Sequence, residues 1–180
     1  MFAYVGLIVT IISWAAAAVL LRRWGSPDHK SLSEHGADNR VAYSIFAGTL
    51  SFTAVAMYWW FGYWLAPKLG LGTSFLLVVS TTIAALLAAG LVPDIPGRRR
   101  RIHRFLAYTM AVLFLPLGYL VTTAPRLSPV AHIFTVVLLA YMAASFITVV
   151  IFRMFWDRFL LFQGLYILAL QLLILAAAYL

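Results

Sequence analysis

LGTSFLLVVSTTIAALLAAGLVPDIPGRRRRIHR, from Leu71 to Arg104, decides the fold. No charged residue falls between Leu71 and Val92. A hydrocarbon core about 30 Å thick needs roughly 20 apolar residues of helix, so this run is long enough to cross a bilayer. Pro93, Pro96 and Gly97 then break the chain. Arg98, Arg99, Arg100, Arg101 and Arg104 follow at once. Arginines placed directly beside an apolar span hold its end at the lipid headgroups.

Working outward, five more segments match this pattern: Phe2–Leu21, Val41–Trp64, Phe105–Thr123, Val130–Phe152 and Phe159–Leu180. The composition agrees, with 64% hydrophobic and 10% charged residues. A soluble domain carries about 25% charged residues and could not cover its surface with so few. Backbone groups in lipid must be satisfied within the segment, and the alternation of a β-barrel is absent, so the spans are helices. The expected fold is all-α, an integral membrane bundle of six transmembrane helices forming one domain over residues 1–180. Phe2–Leu21 has full spanning length, no basic start and Arg22–Arg23 behind it, which reads as a retained helix rather than a cleaved signal.

Loop chemistry separates the spans. Pro67, Gly70 and Gly72 lie after the second, and Pro125 and Pro129 after the fourth. The last connection, Arg153 to Arg158, has no breaker, which predicts a tight turn or a helix running on into the interface. Pro116 inside the fourth span predicts a kink.

Eleven of the 13 basic residues lie in the first, third and fifth loops; Lys68 and Arg126 are the others. The positive-inside rule therefore predicts those three loops in the cytoplasm and both termini outside it. Tyr58, Trp59, Trp60, Tyr63 and Trp64 then form an aromatic belt at the outer interface, with Trp24 and Trp156 at the inner one.

The five acids, Asp28, Glu34, Asp38, Asp94 and Asp157, share the basic loops, as do His29, His35 and His103. Acid–base chemistry is therefore expected at that end. Within the first loop, Ser31 and Glu34 have capping-box spacing, Gly36 would end the short helix, and Asp38 could cap the second span. In the third loop, Asp94 and His103 could approach each other, as a loop clasp or as half of an acid–base site. The arginine run suits a topology anchor or a phosphate headgroup site, since arginine pairs bidentately with phosphate. The candidate catalytic residues are Glu34, Asp94 and His103. The candidate lipid-binding residues are Arg98, Arg99, Arg100, Arg101 and Arg104.

No metal or cofactor is expected. His103 and His132 begin successive antiparallel helices at opposite membrane faces, so one haem cannot join them. His29, His35, His103 and an acid lack any zinc-motif spacing. The chain has no cysteine, which excludes thiolate chemistry. The spans contain no Asp, Glu, Lys or Arg, which argues against a proton pump or voltage sensor. Thr73, Ser74, Ser80, Thr81, Thr82, Gln163 and Gln171 could line a passive path or bond between helices. Ser44-x-x-x-Gly48, Ala84-x-x-x-Ala88 and Ala85-x-x-x-Ala89 have the small-residue spacing of close helix packing, which serves bundle assembly or oligomerisation equally well.

Ser31–Ala37 reads SLSEHGA and is followed by an apolar span containing Gly48. This resembles a family of uncharacterised six-span bacterial proteins, similar in turn to the Frag/DRAM/Sfk group of eukaryotic membrane proteins. Pro93–Asp94, then His103 with Ala107 one turn later, is similar to a Pro-x-Asp…His…Ala pattern in that family. Two features depart from it. His35 stands where an apolar residue is usual, and the family's charge pattern places these loops outside the cytoplasm. The resemblance implies a protein tied to lipid organisation or membrane regulation.

The leading expectation is thus a protein whose cytoplasmic loops engage anionic membrane lipids or a protein partner. The alternatives are a lipid-modifying enzyme using Glu34, Asp94 and His103, and a small passive transporter or channel built as a homo-oligomer. The net charge of +8 does not point to nucleic acid, because the basic residues flank apolar spans.

Overall fold

Long apolar runs without interior charge fold as helices, and helices account for six segments able to cross a membrane in the computed structural model, which describes residues 2–24, 30–37 and 39–180. No strand occurs among the described residues. The first span is a 3-10 turn, Phe2–Tyr4, leading into α1, Val5–Trp24. A short helix α2, Leu32–Gly36, precedes α3, Arg40–Trp60. A π-helical segment, Phe61–Leu65, carries α3 into α4, Ala66–Leu69. The remaining helices are α5, Thr73–Leu91; α6, Arg98–Thr122; α7, Pro129–Phe146, extended by a π-helical Ile147–Ile151; and α8, Phe159–Tyr179.

The long helices pack in a ring. α1 meets α3, α3 meets α5, α5 meets α6, α6 meets α8, and α8 returns to α1, while α7 packs on α6 and α8. The centre is a cluster that includes Trp60, Phe61, Phe75, Leu117, Met142 and Leu173. Trp60 is fully buried, which removes it from the expected belt. A Cβ on Gly6 would lie 2.7 Å from its indole, so α1 crosses α3 closely only because residue 6 has no side chain. Tyr58, Trp59 and Tyr63 do face outward.

Two expected boundaries shift, and the last connection takes one of its two expected forms. The second span does not break at Pro67. Proline is tolerated in the first turn of a helix, and the π-helical segment lets the helix restart there. Gly70, at φ 70°, ends it. The last connection is a tight turn with Arg153 and Phe155 both at positive φ. Most consequentially, the fourth span begins at Arg98 rather than Phe105, so the arginine run is the opening of a membrane helix. Gly97, at φ 101°, makes the turn into it.

Pro116 lies inside α6, which continues through it to Thr122. One turn before it, the Tyr166 hydroxyl of α8 donates to the Ala111 carbonyl at 2.7 Å. Within the monomer Ser44 and Gly48 do not serve close packing: nothing lies within 4 Å of a Cβ placed on Gly48. Ala85 and Ala89 are buried. Of the polar span residues, Thr81 and Thr82 donate to carbonyls of their own helix. Gln171 accepts from Trp14 of α1 and Gln163 from the Leu32 backbone of α2.

At one end, the two basic residues outside the charged loops close helix termini. Lys68 Nζ donates to the Ala178 carbonyl near the end of α8. Arg126 donates to the Pro67 carbonyl at 3.1 Å. Cations at helix C-termini satisfy unpaired carbonyls and oppose the negative end of the helix dipole.

Candidate functional site: an ionic cluster on the opening of α6

The opposite end brings the first and third loops together. α2 begins at Ser31, whose hydroxyl accepts the Glu34 N–H while the Glu34 carboxylate accepts the Ser31 N–H at 2.9 Å. This is the capping box its spacing predicts. Leu32 packs toward a small apolar cluster of Leu20, Ala42 and Phe46, which pins α2 on α1 and α3. A Cβ on Gly36 would stand 2.7 Å from the Phe46 ring, so a bare glycine is needed where α2 lies down on α3. Asn39 caps α3 by accepting from the Val41 and Ala42 N–H groups. Asp38, expected in that role, lies outside the described residues, as do Asp28 and His29.

Docked in this way, α2 presents Ser33 and Glu34 to α6. The Ser33 hydroxyl donates to Asp94 Oδ2 at 3.1 Å. Glu34 Oε1 lies 3.4 Å from Arg100 Nη2 and 3.6 Å from Arg104 Nη2. Asp94 is buried, and its Oδ1 lies 3.2 Å from Arg100 Nε. That contact is an ion pair and not an aligned hydrogen bond. His103 is buried with Nδ1 at 2.7 Å from the Val92 carbonyl. A carbonyl only accepts, so Nδ1 carries the hydrogen, and Nε2 lies 4.0 Å from Asp94 Oδ2. His35 is wholly buried on α2.

Glu34, Asp94 and His103 therefore converge. Arg100, His103 and Arg104, at i, i+3 and i+4, form one face of α6, and that face meets both acids. An arginine-rich first turn opposes the positive end of a helix dipole, and the two carboxylates offset it. His103 with Tyr43, whose hydroxyl donates to the Leu91 carbonyl at 2.8 Å, also occupies carbonyls at the end of α5. The arrangement works as a clasp that joins α2, the end of α5 and the start of α6.

The arginine run thus divides. Arg100 and Arg104 turn to the acids. Arg98, Arg99 and Arg101 are exposed and make no ion pair among the described residues. Ser33 and Gln163 escaped the sequence reading as parts of this site, because each is joined to its partner only by the tertiary fold. Arg100 and Arg104 were visible in it, but as lipid ligands rather than as partners of the acids. The helical spacing with His103 was the available signal.

Below the clasp, a cavity of about 100 Å³ lies between α6, α7 and α8. Ala107, Ala111 and Phe114 line one side, with Val149, Gln163 and Tyr166 opposite. None of Glu34, Asp94 and His103 lines it. Among the described residues no group of three His, Asp or Glu side chains is placed to hold a metal ion. No protein-family model, curated protein or solved structure matches this chain.

Proposed function

We propose that this chain is an integral membrane protein that gathers anionic phospholipid around one end of its bundle, with Arg98, Arg99 and Arg101 as the headgroup ligands. The observation that carries the reading is the division of the arginine run. Two arginines are held by Glu34 and Asp94, and three project outward beside apolar helix surface. Each exposed arginine near an anionic surface is worth about 1 kcal/mol at most. In this reading the charged loops face the cytoplasm and the termini lie outside it, an orientation that rests on the basic residues alone. The role is lipid organisation or regulation, as the resemblance to the six-span bacterial family, and through it to the Frag/DRAM/Sfk group, also suggests.

The test is reconstitution in mixed phosphatidylglycerol and phosphatidylcholine vesicles carrying a spin-labelled lipid of either kind. The protein should immobilise the phosphatidylglycerol probe preferentially. That preference should weaken with salt and with Arg98→Gln, Arg99→Gln and Arg101→Gln combined. Equal immobilisation of both probes would reject the reading.

One observation favours a second reading, a lipid-modifying enzyme: Glu34, Asp94 and His103 converge one turn from a cavity. It requires that the purified protein convert a membrane lipid and that folded Glu34→Gln fail to do so. Against it, both carboxylates are already paired with arginine and His103 is tied to Val92.

A further inference from the structure

We infer that the cavity between α6, α7 and α8 holds a segment of an acyl chain from one tightly bound anionic phospholipid, whose phosphate is held by Arg104. The inference rests on the anionic-lipid reading above and adds a defined site to it.

The argument begins with one stripe of α6. Arg100 and Arg104 stand at its top, and Ala107, Ala111 and Phe114 continue the same face downward. Neither arginine lines the cavity, but Arg104 stands about one turn above Ala107, and charge one turn above an apolar cavity on one helix face matches a phospholipid, with its charge at one end and its chain below. The space exists because residues 107 and 111 are alanines. On the far side the wall includes Val149, in the π-helical segment of the seventh helix. Such segments interrupt regular helix packing and are frequent at functional sites.

Charge selects the occupant. Arg104 makes one contact with Glu34, at 3.6 Å, and its side chain is 45% exposed. A guanidinium carries five N–H donors in a fork that fits phosphate, so Arg104 can take a phosphate while Glu34 remains with Arg100. Arg100, between two carboxylates, is already neutralised. Gln163 lines the cavity and gives its carbonyl to Leu32 N–H at 3.0 Å. Its amide NH2 has no partner among the described residues, and it suits a glycerol ester carbonyl, which only accepts.

The experiment is native mass spectrometry of the full chain in mild detergent, titrated separately with dioleoyl phosphatidylglycerol and dioleoyl phosphatidylcholine. The wild type should retain one phosphatidylglycerol at activation energies that strip the rest. Ala107→Phe should reduce that retention by at least about tenfold, as expected when several methylenes are denied burial. Ala107→Leu, a milder filling, decides the matter if the phenylalanine variant does not fold. Arg104→Gln should erase the preference for phosphatidylglycerol over phosphatidylcholine. The combined Arg98→Gln, Arg99→Gln, Arg101→Gln variant should keep the single tight lipid and lose the weak ones. Retention at the wild-type level in both Ala107 variants overturns the site, and so does equal retention of the two lipids. Loss of weak lipids in the triple variant together with unchanged tight retention in the Ala107 variants would reject this site and leave the surface reading standing. Unchanged weak binding in the triple variant would reject the surface reading by itself.

Discussion

The carboxylate of Glu34 lies 3.4 Å from the guanidinium of Arg100, so a residue of the first loop is fastened to the opening turns of the fourth membrane helix. The same guanidinium reaches the buried Asp94 at 3.2 Å. One side chain thus holds two acids from two loops, and its loss should be felt in the fold.

Arg100→Gln should destabilise the protein by roughly 1–3 kcal/mol, less than a fully buried pair would, because the Arg100 side chain is partly exposed. Most of that comes from leaving Asp94 buried without its counter-charge. Adding Asp94→Asn to Arg100→Gln should therefore cost less than the two single losses together. Thermal unfolding of all four proteins in one detergent gives the coupling, and strict additivity would contradict the clasp.

Gly36→Ala should also lower stability, by about 1–3 kcal/mol, the usual range for overpacking. The new Cβ meets the Phe46 ring, whose nearest atom stands 2.7 Å away. In a Phe46→Ala background, which removes the ring with its contact at 2.7 Å, the penalty should shrink. A penalty of the same size in both backgrounds would mean that α2 does not rest on Phe46.

Tyr166→Phe removes the hydroxyl that donates to the Ala111 carbonyl one turn before Pro116. Hydrogen bonds between membrane helices average about 0.6 kcal/mol, so a loss near that size is expected. A variant more stable than the wild type would show that the bond does not support α6 at its proline.

A reporter that is active only in the cytoplasm, fused after Leu180, should be silent, and the same reporter inserted after Arg99 should be active. The expectation follows from eleven of the 13 basic residues lying in three loops. The opposite pattern would move the ionic cluster to the other face of the membrane.

Much of this architecture could be read from the chain because lipid imposes a simple demand: a continuous apolar run for each crossing. The capping box of Ser31 and Glu34 was equally legible, since both partners lie within one turn. The start of α6 was not. Hydropathy ends where charge begins, but a helical backbone does not, so Arg98–Arg104 read as loop. Once those residues are helical, Arg100, His103 and Arg104 share a face. Trp60 misled for a related reason. It sits among exposed aromatics in the chain, and only its helical phase with Met57 and Trp64, at i−3 and i+4, turns it inward. The bonds of Ser33 to Asp94 and of Gln163 to Leu32 join distant segments, and no local spacing announces them.

The division of labour among the arginines is tested most directly by measuring unfolding temperature and retained phosphatidylglycerol on the same preparations. Two variants are compared with the wild type: Arg100→Gln, and Arg98→Gln, Arg99→Gln and Arg101→Gln combined. The account predicts that Arg100→Gln lowers the unfolding temperature and keeps the weakly held lipid. The triple variant should keep the unfolding temperature and lose that lipid. If Arg100→Gln strips the lipid without loss of stability, or the triple variant unfolds early and retains it, the arginines do not divide as described.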